Sequence, residues 1–390
     1  MKRLKIRNFG PLSQADISLR EKNLIVGLQS SGKSCVLKTA CYCTWVEKRI
    51  ELAQSASAFQ KGSRFLDLLA DYHEMKDFIC DDTFIEYETG SMKFSYSNSQ
   101  MMFSFDWKQD RWRYRRPKIS YIPSGRNLVA AIPAWSKLEL SNDNLLDFMT
   151  DWNAARMALK HVDNVLDLGL SYRYDASSNS DSIVLPSGKA IRLSEGSSGV
   201  QSLLPLFVHL NYLFEQKTGQ GQKQTMNYEQ KEEEKRLLQL IAEHLNKEGK
   251  VSSVKDKVVI ASKGGMSFFF GNQRQANQFA KLASGYLQPD FNEIFLEEPE
   301  NNLFPPTQSR LIDWLLEKTS QQQRTDRLFV ATHSPYVLNQ FLKNSDKSFR
   351  LFITHPDKKG KFTVTALSDS EVQEVYDNGV DLFFNFEAYL

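Results

Sequence analysis

The sequence predicts an α/β protein whose parallel strands bring their tips to one polar site. Three observations predict it. Residues 24–27 (Leu-Ile-Val-Gly) read as a buried strand that passes through a Gly-rich turn into a helix from Cys35 to Trp45. Two later apolar runs stop in polar tips, Glu297-Glu298-Pro299 and Thr332-His333-Ser334-Pro335, with one helix between them (Gln308 to Lys318). Residues 83–121 alternate as strands do, in Phe84-Ile85-Glu86-Tyr87 and Phe103-Ser104-Phe105-Asp106-Trp107, which predicts an antiparallel layer beside the parallel core.

The first turn carries chemistry. Gly27-Leu28-Gln29-Ser30-Ser31-Gly32-Lys33-Ser34 has the Gly-x-x-x-x-Gly-Lys-Ser spacing that turns successive backbone N–H groups inward around phosphates at a helix N-terminus. At average residue usage, a chain of this length matches that spacing by accident only about 1 time in 70. The predicted nucleotide-binding residues are Gly27, Gln29, Ser30, Ser31, Gly32, Lys33, Ser34 and Cys35. Lys33 suits the β- and γ-phosphates, and the Ser34 hydroxyl suits Mg2+.

Glu297 and Glu298 are neighbours, and neighbours in a strand face opposite ways unless the strand is ending. Pro299 ends it. Strand tips of parallel sheets are where ligands bind, so Glu297 is assigned to the Mg2+ shell and Glu298 to the attacking water. A solvated acidic turn is the competing reading. His333, 35 residues after Glu298, is placed at the next tip and assigned to the γ-phosphate; the other five histidines share no metal-like spacing.

Ser197-Ser198-Gly199-Val200-Gln201 precedes an apolar helix (Leu203, Leu204, Leu206, Phe207, Leu210), so it reads as an uncovered positive helix end. Ordinary N-capping accounts for the serines but not for the glycine.

In this order, the cradle, Ser-Ser-Gly-Val-Gln, apolar-Glu-Glu-Pro-Glu and Thr-His-Ser-Pro resemble the ABC-type ATPases of the SMC, RecF and OLD branch. More narrowly they resemble compact bacterial ATPases of the AAA-15 and AAA-21 type, often encoded in anti-phage defence systems. The opening Lys5-Ile-Arg-Asn-Phe-Gly-Pro-Leu and the segment Tyr121-Ile-Pro-Ser-Gly-Arg-Asn127 are similar to that group as well. The chain departs from it in three ways: Glu297 stands where many relatives have Asp, Gly125 replaces a common Glu, and there is no unambiguous Q-loop glutamine.

The resemblance implies an ABC-type ATPase head with mixed and antiparallel sheets, using ATP and Mg2+. It implies a homodimer in which Ser197, Ser198, Gly199 and Gln201 meet the γ-phosphate held by the other copy. It further implies a sensor ATPase working with a separate nuclease or toxin effector. A RecF-like DNA-repair clamp and a non-catalytic, ATP-dependent scaffold are the alternatives. A nuclease domain of the OLD kind is not expected in the 57 residues after His333.

Composition sets the remaining bounds. The 390 residues are 41% hydrophobic, enough for a core, and no apolar run approaches the ~18 residues of a membrane span. Met-Lys-Arg leads into a strand, not a signal segment, and the four cysteines lack zinc spacing, so a reduced cytoplasmic protein is expected. A net charge of +2 gives no global nucleic-acid signature. Locally, Arg111, Arg113 and Arg115 alternate beside Trp107, Trp112 and Tyr114, which predicts a strand with one basic face, either candidate DNA contacts or equally a solvated outer face over an aromatic core.

The expected organisation is a first core part (1–214), an insertion (215–286), a second core part (287–365) and a tail (366–390). Residues 51–80 and 143–169 read as helical, and Ser171–Tyr174 with Ile183–Leu185 as a hairpin. No heptad repeat is sustained, which excludes long coiled-coil arms. The insertion arises because 95 residues separate Gln201 from Glu297. Within it, 216–230 read as an exposed linker, 232–246 as an amphipathic helix, 257–260 and 266–270 as a strand pair, and 273–287 as a helix. It is expected beside the dimer seam, either as a partner-contact lobe or equally as a decorative one. Phe383, Phe384 and Phe386 make the tail aromatic enough to pack or dock.

Overall fold

The computed structural model describes residues 2–135, 143–215, 228–248, 259–320 and 325–378. The phenylalanine-rich end of the tail and most of the expected linker lie outside them. The chain opens with β1 (Lys2–Phe9), β2 (Leu12–Leu19), β3 (Lys22–Gly27), α1 (Lys33–Ala53) and α2 (Arg64–His73). Strands β4 (Ile79–Glu88), β5 (Met92–Ser97) and β6 (Met102–Trp107) lead to β7 (Pro117–Ile122). A helical lobe follows: α3 (Leu128–Ala131), α4 (Asn144–Leu159), then β8 (His161–Val162), β9 (Ser171–Asp175), β10 (Ser180–Val184), β11 (Ala190–Arg192) and α5 (Ser198–Glu215). The insertion holds α6 (Tyr228–Glu248), β12 (Val259–Lys263), β13 (Met266–Phe270) and α7 (Gln273–Leu287). The chain returns through β14 (Phe291–Glu297), α8 (Pro305–Thr319), β15 (Arg327–Thr332), α9 (Pro335–Lys343), β16 (Phe349–Pro356), β17 (Phe362–Ala366) and α10 (Asp369–Asn378).

This is the mixed α/β architecture that the sequence periods predict, with no long coiled coil among the described residues. Eleven strands form one sheet in the order β6-β5-β4-β1-β2-β17-β16-β3-β15-β14-β7. Strands β16, β3, β15, β14 and β7 run parallel, so their C-terminal tips share one end. The antiparallel strands were expected as a layer beside this core, but they continue the same sheet. The reason is that β1 pairs with both β2 and β4, and β2 pairs with β17.

Alternation decides what each strand face covers. Ile294 and Leu296 of β14, with Leu328 and Val330 of β15, join the core built with α4, α5, α8 and α9. Phe295 and Phe329 point the other way, into a second core around α1 and the β1–β6 strands. Being covered on both faces, β14 is buried throughout, as its near-continuous apolar run requires.

Several local expectations are corrected. In 51–80, α1 ends at Ala53 and only Arg64–His73 forms a further α-helix. The helix expected over 143–169 stops at Leu159, where Lys160 takes a positive φ of 57°. The Arg111–Arg115 segment is not a strand. Arg111–Arg113 forms a short 3-10 turn, and aromatic and acidic neighbours draw the guanidiniums in different directions. Arg111 lies over Trp107 and Trp112 and donates to Gln54. Arg113 pairs with Asp110, and Arg115 with Asp290.

The insertion folds much as its periodicity predicts, and it packs at the end of α1 far from the Gly-rich loop. Leu237, Leu238 and Ile241 of α6, Phe268 and Phe270 of β13, and Phe279 of α7 form a third core with Tyr114, backed by Leu52 and Trp112. Leu52 is in the last turn of α1. At 1.5 Å per residue, that is roughly 30 Å along the helix from the Gly-rich loop.

Candidate nucleotide site

The loop between β3 and α1 is built as a cradle. Gly32 takes φ 91° and Ser30 φ 60°, and no side chain caps the N-terminus of α1. The first N–H groups of a helix have no intrahelical partner, so this end offers unoccupied donors and a positive dipole end. Gly27 is required sterically, because a Cβ there would lie 1.8 Å from the Thr354 hydroxyl of β16.

Each predicted loop residue has a distinct placement. Gln29 and Ser30 are exposed. Ser31 is fully buried; its hydroxyl donates to Leu28 O (2.6 Å) and shares a hydrogen bond with the Thr354 hydroxyl, so its side chain shapes the loop and only its backbone is left for phosphate. Lys33 folds back onto the loop, donating from Nζ to Leu28 O (2.6 Å) and Gly27 O (3.0 Å). Burial lowers its pKa, while Glu298 and Glu300 act to raise it, which places its ammonium in the field of the late carboxylates. Ser34 is partly exposed in the first helical turn. The Cys35 thiol faces away from the loop toward Phe9 O in the core, where burial pushes its pKa up to about 12, so only its backbone lies at the loop.

The parallel register puts the tips of β14 and β15 beside this loop, because β15 pairs with both β3 and β14. Glu297 is buried on the α1 face of β14. Its Oε2 accepts from Ser124 N (3.2 Å), while Oε1 is buried without a partner. The predicted strand ending is present: Glu298 takes φ 43° as its N–H still donates to Ala331 O (2.8 Å). The carboxylate is thereby released from strict alternation and is about one-third exposed. His333 Nδ1 lies 3.7 Å from Glu298 Oε1 and 3.5 Å from Glu300 Oε1. Glu298 and His333 are therefore brought together, and Glu297 ends the same strand.

Residues the sequence did not assign complete the site. Glu300 is buried; its Oε1 accepts from the Thr332 hydroxyl (2.7 Å) and His333 N (2.9 Å), which fixes the β15 tip against the β14 loop. Ser334 caps α9 and donates to Gln308 (2.6 Å). Tyr121, buried at the end of β7, has its pKa pushed up by burial and then by Glu297. Arg126 is buried at the base of the Glu297–Glu298 tip; burial pulls its pKa down to about 10, and Glu300, Glu298 and Glu297 act to keep it charged. The one signal for Arg126 was its place in the Tyr121–Asn127 segment, and the acidic Glu297–Glu300 run was the signal for Glu300.

The serine-glycine stretch lies at the start of α5. Ser197 and Ser198 are exposed. Gln201 is corrected: its side-chain amide donates to Ser194 O and Gly196 O (both 2.9 Å), so it braces the turn instead of facing outward. Gly199 has a reason within its own chain, because a Cβ there would lie 2.9 Å from Asn302 O. Asn302 also donates to the Ser202 hydroxyl (2.8 Å), which ties this helix end to the carboxylate loop.

The donor set fits a nucleoside triphosphate and Mg2+. The helix end and loop supply N–H groups, Ser34 a hydroxyl, and Glu297 a buried carboxylate oxygen that makes no close hydrogen bond, with the Tyr121 hydroxyl acting on the same carboxylate. Among the described residues, no cluster of His, Cys, Asp and Glu could hold a metal alone, and in sites of this type phosphate oxygens complete the shell.

No protein-family model matches the sequence, and no curated protein matches it either. Solved structures do. The SMC head domain from Thermotoga maritima has a TM-score of 0.42 at 12% identity, over 94% of this chain and 98% of that one. The Smc head domain from Pyrococcus furiosus, with an extended coiled coil and bound to the C-terminal domain of ScpA, has a TM-score of 0.31 at 11% identity, over 97% and 99%. The recombination mediator protein RecF has a TM-score of 0.30 at 12% identity, over 94% and 97%. At these identities and scores the likenesses establish neither a family nor an activity. No helix among the described residues is long and apolar enough to cross a membrane.

Proposed function

We propose that this chain is an ABC-type ATPase that closes as a homodimer on two Mg-ATP and reopens after hydrolysis. The observation that carries the reading is the single end of the sheet shared by the uncapped, glycine-shaped loop, the half-satisfied Glu297 and the Glu298–His333 pair. Loop N–H groups and Lys33 would hold the phosphates, Lys33 exchanging its loop carbonyls for phosphate oxygens. Ser34 and Glu297 would hold Mg2+, which when bound would supply positive charge to offset that of the phosphates. Glu298 Oε1 would orient the attacking water and take its proton, and His333 would donate to the γ-phosphate. The partner copy's exposed Ser197 and Ser198 would close over the same phosphate.

The sensor role with a separate nuclease or toxin rests on the sequence resemblance alone. Phosphate release by the native chain tests the enzymatic reading: absence of any nucleotide turnover would reject it in favour of the scaffold. Co-purification with the products of neighbouring genes tests the effector. Duplex-stimulated turnover that falls steeply with salt would instead favour the DNA clamp.

A further inference from the structure

We infer that Arg126 is the positioning residue that turns the adjacent carboxylates Glu297 and Glu298 toward one site; the inference rests on the hydrolase reading above. Strand geometry sends consecutive side chains to opposite faces. Glu298 departs from it through a left-handed backbone that a non-glycine residue keeps only when its surroundings impose it. Two backbone bonds frame this turn, Glu298 N to Ala331 O (2.8 Å) and Asn301 N to Glu298 O (3.1 Å), and Arg126 is the side chain that grips it. Its Nη1 donates to Glu297 O (2.8 Å) and its Nη2 to Glu298 O (2.8 Å), so one planar fork spans the two successive carbonyls of the turn. Nη1 also reaches Pro123 O (3.3 Å).

The guanidinium is 1% exposed, and its Nε has no partner. Its hydrogen bonds therefore go to backbone, not to a carboxylate, although three carboxylates act on its charge. A lysine lacks the fork needed to hold both carbonyls at once. The same β7 tip touches the carboxylate itself, since Ser124 N donates to Glu297 Oε2. Gly125, between these two, has no atom within 4 Å of where its Cβ would be, so the segment is not held by packing at that point. The Tyr121–Asn127 segment thus gains a purpose: it presents a clamp to the end of β14.

The test compares the native 390-residue chain with Arg126→Lys and Arg126→Ala, in ATP turnover and in binding of a fluorescent ATP analogue. We expect kcat to fall at least about tenfold in R126K and about a hundredfold in R126A, with analogue affinity in EDTA within about threefold of native in both. Added methylguanidinium should restore R126A turnover at least about fivefold and leave Glu298→Gln inert. Native kcat in both variants overturns the inference. So does loss of EDTA binding in step with kcat, which would make Arg126 a nucleotide or folding residue. If R126A is insoluble, R126K decides. A native chain that binds ATP but turns over no nucleotide rejects the hydrolase reading instead. Arg126 is then judged by the Mg2+ needed for half-maximal binding, expected to rise about tenfold in R126K, and an unchanged value overturns it.

Discussion

Strand β14 carries two buried glutamates on one face, four residues and roughly 13 Å apart, and they live in opposite circumstances. Glu293, at the start of the strand, receives Lys2 Nζ on both oxygens at 2.8 Å, and that ammonium also serves Glu47 at 3.3 Å. Glu297, at the end, receives one backbone N–H and keeps a buried oxygen without a partner. The strand, the residue type and the depth of burial are shared. The difference is satisfaction: the first carboxylate is bonded on both oxygens, and the second keeps one oxygen without a close hydrogen bond. Burial of an acid is thus no guide to its role until its partners are counted.

The sharpest break would come beside the unsatisfied end. Glu298→Gln is expected to lower turnover about 10²–10⁴-fold while leaving nucleotide binding intact, and to accumulate a dimer in ATP that light scattering detects. Unchanged phosphate release would remove Glu298 from the mechanism. The two buried glutamates should then separate in urea unfolding. Lys2→Met leaves Glu47 without its cation and Glu293 with only the Arg327 guanidinium at 4.0 Å, and should cost about 3 kcal/mol. Glu297→Gln should stay within about 1 kcal/mol of native, because it removes a charge that was poorly compensated, yet weaken Mg2+-dependent nucleotide binding about tenfold. Equal destabilisation by both would erase the comparison.

A third buried acid, Glu51 in the last turn of α1, tests the satisfied end by pH. Burial pushes its pKa up to about 8, and Ser91, Tyr286 and Gln54 offset this only in part while Glu47 adds to it. A raised carboxyl pKa contributes stability that is full below about 4.5 and is lost as pH rises to about 8. Glu51→Gln should therefore flatten unfolding stability between those values and leave the variant roughly 1–3 kcal/mol above native at the alkaline limit. A native profile already flat across that window would show that Glu51 is paired after all. The smallest effect belongs to the surface. Reversing Arg113 and Arg115 to glutamate should change stability by under ~1 kcal/mol and leave turnover unaltered, because both pair with nearby exposed acids. A loss of duplex binding in that variant would revive the DNA reading.

Much of the site was legible because its signals are local. The Gly27–Ser34 loop needs only its own spacing, and the tips at Glu297 and His333 need only a short apolar run and a proline. The Arg111–Arg115 alternation misled because period two was read over a stretch where stacking on Trp107 and Trp112 and pairing with Asp110 and Asp290 prevail over strand propensity. Gln201 misled for a similar reason: nothing in its neighbourhood announces that its amide folds back onto Ser194 and Gly196.

By itself the sequence determined the mixed α/β class, the Gly-rich loop between strand and helix, the strand tips and the insertion's elements, all set by residues within a few positions of one another. Tertiary structure alone decided that the antiparallel strands join the main sheet, that the insertion covers the far end of α1, and which carboxylates are spent. Lys2 meets Glu293 across 291 residues, and Arg126 meets Glu297 across 171. Such partners follow from how the sheet closes around α1, and a hydrogen bond between segments so far apart leaves no periodicity in the chain to read.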